Sequence, residues 1–288
     1  MEGNPLLGII GGSGLYSMEG LEEIEELELE TPFGQPSSPV LTGNLNGKAI
    51  AFISRHGRDH QLSPSEVNYR ANIYALKMLG VAQVLSVSAC GSLREDYAPG
   101  DIVIPDQLFD FTKGRKRTFF EDGLVAHIGV ADPFCAHFST AVEDSIKKAQ
   151  GTVHRGGAAI TIEGPRFSTR AESNAYRAWG MSIIGMTTSP EAFLAREAEL
   201  CYAVMAHVTD YDVWYLGEKP VTVEIVIRIL NSNTALALQA ISHLVSNLDE
   251  NHACTCTNAL NGALITNPQV VPAETRERLS ILVDKYLS

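Results

Sequence analysis

The chain reads as an α/β protein. Short apolar strands alternate with helical segments from end to end, and at least four of those strands run into glycine-rich or polar stretches. No linker, repeat or low-complexity stretch interrupts the 288 residues. A single domain spanning 1–288, with a mixed central sheet flanked by helices, is therefore expected. Ligands of such sheets bind beyond the C-terminal ends of the strands, so the polar stretches mark the place to look for chemistry.

The elements follow in order. Leu6 to Ile10 is a short apolar run closed by Gly11-Gly12-Ser13-Gly14, a buried strand ending in a glycine turn. A Glu-rich stretch from Glu19 to Glu30 precedes Thr31-Pro32-Phe33-Gly34, which signals a turn. Val40 to Ile53 alternates around Asn44-Leu45-Asn46-Gly47 and predicts a hairpin with an Asn-Gly turn. Pro64 to Leu79 predicts a helix, with Ser63 as cap, Pro64 at the first helical position and Glu66 completing a capping box. Strands are predicted at Val84–Val87, Ile102–Pro105, Gly156–Ile162, around Ile183-Ile184, and at Cys201–Val208. Helices are predicted at Arg170–Trp179, Pro190–Glu199, Val221–Leu248 (one or two) and Ala273–Leu287.

Composition narrows the partners. Hydrophobic residues make up 45% of the chain and charged residues 19%, enough to bury a sizeable core. The net charge of -12 argues against general binding to nucleic acid or to an anionic membrane, both of which call for basic faces. A small anionic substrate remains compatible, because a site can be locally positive. No apolar run reaches the roughly 18 residues of a spanning helix, and no basic n-region opens the chain. A cytoplasmic protein is expected. Five scattered cysteines (Cys90, Cys135, Cys201, Cys254, Cys256) fit a reducing compartment. Cys254-Thr-Cys256 is either a pair of ordinary thiols near a turn or a local disulfide.

Four segments could carry chemistry. Gly11-Gly12-Ser13-Gly14 is either a tight turn or an anion loop in which backbone N–H groups and the Ser13 hydroxyl donate. No Lys-Ser/Thr pair follows it, so it is not a Walker loop. Ser17 occupies the third glycine position of a dinucleotide fingerprint, which excludes a nicotinamide dehydrogenase. Ser54-Arg55-His56-Gly57 is a charged turn or an anion grip built on the planar Arg fork. His56 and His60 are four apart, but Gly57 and Pro64 preclude a regular helix there, and no metal site is expected. Thr209-Asp210-Tyr211-Asp212 places two carboxylates two residues apart at a strand end, on one side if extended geometry persists. They suit an acid and a hydrogen-bond acceptor, or else a solvated loop or cation site. Phe167, after Gly164-Pro165-Arg166, is a stacking surface or core.

Other stretches join these in a fixed order: Asn68-Tyr-Arg-Ala-Asn-Ile-Tyr-Ala-Leu-Lys77, Ala89-Cys-Gly-Ser-Leu-Arg-Glu95, Pro99-Gly-Asp-Ile-Val-Ile104, Thr161 to Ser173, and Met186-Thr-Thr-Ser-Pro-Glu191. The whole series, from about Gly8 to Trp214, resembles the 5'-methylthioadenosine phosphorylase branch of the purine nucleoside phosphorylase family. The resemblance implies a barrel-like mixed sheet and a homotrimer, or a hexamer built from trimers. It implies attack of inorganic phosphate on the anomeric carbon of methylthioadenosine, releasing adenine and 5-methylthioribose 1-phosphate. Phosphate is then a co-substrate, and no metal or organic cofactor is called for. Related activities on methylthioinosine or on ordinary purine nucleosides, hydrolysis by water and a silent nucleoside-binding role are the competing readings.

The resemblance also distributes roles. It implies phosphate contacts for Ser13, Arg55, His56 and Thr187, with Ser88 and Ala89 at the phosphate–ribose boundary. Met186 lies under the ribose, and Phe167 and Ser168 lie beside the base. His127 comes from a neighbouring subunit to the 5' group, and Val223 and Ile227 make apolar contacts to the methylthio group. Asp210 meets purine N7 as the acid, and Asp212 meets the exocyclic amine. Ionised Asp212 is an acceptor and suits a 6-amino rather than a 6-oxo purine. Ser189 stands where an apolar residue is common in the family, and Lys113 to Asp122 is short and basic for it.

Overall fold

The computed structural model describes residues 6–12, 20–217, 222–249 and 254–287. Its strands are β1 (Leu7–Gly11), β2 (Leu21–Leu27), β3 (Val40–Leu45), β4 (Lys48–Ser54), β5 (Gln83–Ser92), β6 (Ile102–Ile104), β7 (Gln107–Phe111), β8 (Val153–Arg155), β9 (Ala158–Ile162), β10 (Met181–Gly185) and β11 (Cys201–Asp210). The helices are α1 (Tyr69–Met78), α2 (Ala136–Lys148), α3 (Arg170–Ala178), α4 (Thr188–Glu197), α5 (Val223–Asn247), α6 (Ala273–Arg278) and α7 (Ser280–Leu287).

The strands form one mixed sheet in the order β2-β3-β4-β1-β5-β10-β9-β7, with β11 also pairing β5 and leading to β6 and β8. The fork at β5 organises the molecule. Its first half pairs β1 in parallel, Gln83 to Gly91 pair β11 in parallel, and its last two residues pair β10 antiparallel. Because β1, β4, β5 and β11 are mutually parallel through these pairings, their C-terminal ends share one edge.

Alternation along β11 explains the layering. Tyr202, Val204, Ala206 and Val208 enter one core with residues of α1, α4 and α7. Cys201, Ala203 and Met205 point the other way into a second core with residues of α2 and α5. All ten residues of β11 are buried, as a strand covered on both faces requires. The Asn46-Gly47 turn of the β3–β4 hairpin has positive φ at both residues (53° and 77°), as the sequence predicts. Among the described residues, no helix is long and apolar enough to cross a membrane.

Several elements differ from expectation. Helix α1 begins at Tyr69, because Asn68 rather than Ser63 caps it through its side-chain acceptor to the Ala71 N–H. Ser63 and Glu66 instead close a separate turn, with Ser63 N–H donating to Glu66 Oε2 at 2.9 Å. The Glu-rich stretch contains β2, an edge strand whose residues are mostly exposed and so show no apolar period. β7 and α2 have no counterpart among the elements predicted from the sequence. The C-terminal helix is interrupted at Leu279, whose side chain is fully buried.

Candidate active site

The shared strand edge gathers the chemistry-bearing segments. Arg55 follows β4 and is 2% exposed. Its backbone N–H donates to Gly11 O at the end of β1. Its guanidinium donates to Glu191 (Nε to Oε2, 2.9 Å; Nη2 to Oε1, 3.1 Å), to Val87 O, to Ile10 O and to Ser86 Oγ. Glu191, fully buried on α4, also accepts from the Tyr202 hydroxyl at 2.8 Å. The expected bidentate anion fork is therefore directed into the protein. These bonds tie β1, β5 and α4 together.

His56 is the next residue. Its Nδ1 lies 2.8 Å from Leu62 O, and because a carbonyl only accepts, Nδ1 carries the proton. Burial, and then the Arg55 charge, push its pKa down to about 4. At neutral pH its Nε2 is thus an acceptor, and it donates to an anion only after taking up a proton. Its ring stacks on His60 at 4.3 Å.

Thr187 precedes α4 and is buried, yet its hydroxyl does not cap that helix. A Cβ added at Gly185 would come to 3.8 Å from Ala89 O, so the end of β10 lies against the half-buried pair Ser88 and Ala89 on β5. Met186 packs at Gly164, where an added Cβ would meet its sulfur at 2.6 Å. Ser13 lies outside the described residues.

Asp210 ends β11. Its Oδ1 accepts the Asp212 N–H at 2.8 Å, and its Oδ2 lies 2.7 Å from Thr209 Oγ1. Extended geometry does not persist here: Asp212 has φ +50°, and the backbone turns around the Asp210 carboxylate. The two acidic residues still converge, since a Cβ at Gly91 would lie 3.0 Å from Asp210 Oδ1 and 3.4 Å from Asp212 Cβ. Thr209 Oγ1 is also 3.2 Å from Cys90 O. Its single proton goes to one partner or the other. When it goes to Cys90 O, Oγ1 can accept from a protonated Asp210. Burial raises the pKa of Asp212, and among the described residues its buried Oδ2 has no hydrogen-bond partner. Ser168 Oγ is buried and unpartnered in the same sense. Orphaned buried polar atoms cost on the order of 1–3 kcal/mol each, and a polar ligand satisfies them.

Phe167, beside Ser168, is 38% exposed and so presents a free aromatic surface rather than core. Val223 and Ile227 are a turn apart on the first turns of α5 and are exposed. His127 is exposed too. Its backbone N–H donates to Ala263 O in the C-terminal segment.

Arg115 is a residue that sequence reasoning missed. It is buried and donates to Met186 O (2.7 Å), Ser189 O (2.6 Å), Glu163 O (2.9 Å) and the Tyr69 hydroxyl (3.2 Å). It thereby fixes the loops after β9 and β10. The short basic stretch from Lys113 was its only signal. Glu163 is buried in part, but Ser65 and the N–H groups of Lys113 and Gly114 hold its pKa down to about 2, so it is an anchor and not an acid.

Comparison with known proteins shows the family and the fold. The family model described as the phosphorylase superfamily matches residues 6–246. A protein of Geobacter sulfurreducens named S-methyl-5'-thioadenosine phosphorylase is 52% identical, covering 98% of this chain and 99% of that one. One of the same name from Chloroflexus aurantiacus is also 52% identical over 98% of each chain. The crystal structure of a methylthioadenosine phosphorylase from an antarctic soil metagenomic library superposes with a TM-score of 0.93 at 46% identity, covering 97% of this chain and 99% of that one. A mutant adenosine/methylthioadenosine phosphorylase of Schistosoma mansoni, solved with methylthioadenosine, gives 0.83 at 35% identity, covering 90% and 96%.

Proposed function

From the premise that this chain belongs to the phosphorylase superfamily, we propose that it cleaves 5'-methylthioadenosine with inorganic phosphate, giving adenine and 5-methylthioribose 1-phosphate. The observation that carries the reading is the pair of buried carboxyl groups converging on Gly91, one with an oxygen left for a ligand. The glycosidic bond breaks through an oxocarbenium-like state, and its electrons pass to the purine. Asp210 delivers a proton to N7 as they arrive, and the Thr209 hydroxyl helps hold that proton beforehand. Asp212 accepts from the 6-amino group through Oδ2. Phosphate lies among Ser13, His56, Ser88, Ala89 and Thr187, with Arg55 beside His56. Its negative charge stabilises the developing cation before its oxygen bonds to the anomeric carbon.

Met186 supports the ribose, and Phe167 and Ser168 border the base. Val223 and Ile227 supply apolar surface that a methylthio group covers. We assign residues 1–288 to one catalytic domain, placed in the cytoplasm and assembled as a homotrimer or a dimer of trimers. His127, exposed on its own chain, then serves a neighbour's 5' group. Phosphate is a co-substrate, and the chemistry uses no metal or organic cofactor.

A substrate panel tests the reading. Methylthioadenosine, methylthioinosine, adenosine and inosine are each incubated with phosphate and the free base is measured. Methylthioadenosine is expected to be cleaved best. Preference for the inosine forms would overturn the role of Asp212.

A further inference from the structure

The second core contains a group that this reaction does not use. Cys135, Cys201, Cys254 and Cys256 bring their four sulfur atoms within 4.8 Å of one another. They come from three separate segments: Cys135 precedes α2, Cys201 opens β11, and Cys254 and Cys256 flank the start of a short 3-10 turn (Thr255–Asn258). All are free thiols, and Cys135 and Cys254 approach to 3.5 Å, far beyond a disulfide bond. Four sulfurs around a tetrahedral zinc, each about 2.3 Å from it, lie about 3.8 Å apart, so the observed cluster has nearly that size.

The surroundings are arranged for negative charge. Phe138 N–H donates to Cys135 Sγ at 3.4 Å, at the positive end of α2. Cys256 N–H donates to Cys254 Sγ at 3.5 Å. Arg196 Nη1 donates to Cys256 Sγ at 3.3 Å. Arg196 is half-buried, its Nε has no partner, and no carboxylate pairs with it among the described residues. Among the described residues this cation has a counter-charge only if the sulfurs are thiolates. Donors to sulfur of this kind orient and stabilise the ligands of metal–thiolate sites.

We propose that Cys135, Cys201, Cys254 and Cys256 bind one zinc ion as a closed tetrathiolate. Zinc displaces the four thiol protons to solvent, no electrons move, and the site carries a net charge of minus two, which Arg196 and the α2 terminus offset. With four protein ligands and no open position the ion is structural, clamping the segment after α5 to α2 and β11. Iron accepts the same donor set, and zinc is distinguished from it by elemental analysis.

The test uses the full-length protein purified without chelators or added metal. Elemental analysis is expected to find about one zinc per chain, as a closed four-thiolate site holds one ion. A mercurial thiol reagent is expected to release that zinc in step with four thiols of the unaltered protein. The C254S/C256S double variant is expected to lose the metal, while the C90S variant keeps it. The readings on the unaltered protein stand even if the double variant fails to fold. A metal-free protein that does not take up zinc would overturn the proposal, as would iron in place of zinc. So would an unreduced, denatured mass lowered by two hydrogens per disulfide.

Discussion

The two ends of β11 meet opposite demands. Cys201 opens the strand and Asp210 closes it, about 30 Å away at ~3.3 Å per residue. At the Cys201 end, polar and polarisable groups are turned toward one another, and the segments are tied by Cys135 N–H to Tyr202 O at 2.9 Å. At the Asp210 end, Asp212 Oδ2 and Ser168 Oγ are buried with nothing to bond among the described residues. The two ends differ in what completes them: the four thiols and Arg196 suit a metal ion that stays with the fold, as proposed above, whereas the Asp210 end suits a ligand that comes and goes. On the proposed reading substrate completes the Asp210 end, which Arg55–Glu191 and Arg115 brace from behind.

Changes at the Asp210 end should break function while sparing the fold. Asp210→Asn is expected to lower turnover about 10²- to 10⁴-fold, the range for loss of a general acid, with an unchanged melting temperature. Steady-state kinetics and a thermal melt together check this; near-normal turnover would remove Asp210 as the acid. Glu191→Gln addresses the scaffold. It leaves Arg55 as an uncompensated buried charge, and removing one partner of such a pair costs about 3–5 kcal/mol. Denaturant unfolding should register that loss, together with a weaker KM for phosphate. An unchanged midpoint would mean that Arg55 is not held as described.

Smaller effects sharpen the contrast. Asp212→Asn replaces an acceptor with a group that can also donate, so the ratio of kcat/KM for methylthioinosine over methylthioadenosine should rise by about tenfold or more, at about 1.4 kcal/mol per tenfold. A ratio that stays put would place the 6-substituent elsewhere. Acid should weaken the fold through imidazoles. His56 and His207 are both held at about 4 by burial, below the ordinary 6.5. The unfolded chain therefore binds protons that the folded one refuses, and their part of the stability, full above pH 6.5, declines as pH falls toward 4. Urea midpoints across that window read this directly, and His207→Phe should flatten part of the slope.

Much of this was legible in the sequence. Apolar runs located most strands, Asn46-Gly47 fixed a hairpin, and the glycine and acidic segments pointed to one sheet edge. What escaped has physical causes. β2 is an exposed edge strand and carries Glu where a pattern would need alternation. Helix α1 starts late because Asn68, deeper in the segment, makes the better cap. At the site, residue types were readable but orientation was not. Arg55 looks like an anion fork until Glu191, 136 residues on, takes it up. Arg115 is one cation in a basic run until the surrounding loops close on it. The cysteine cluster hid for the same reason, since Cys135 and Cys254 are 119 residues apart and only the meeting of α2, β11 and the C-terminal segment joins them.

Phosphate-dependent cleavage of an adenine nucleoside is assigned to the Asp210 end of β11. Adenine release from 5'-methylthioadenosine, followed with and without inorganic phosphate, tests it most directly. Rapid release only with phosphate is expected, with one sugar 1-phosphate formed per adenine. Release at the same rate without phosphate, yielding free methylthioribose, would contradict it and make the protein a hydrolase.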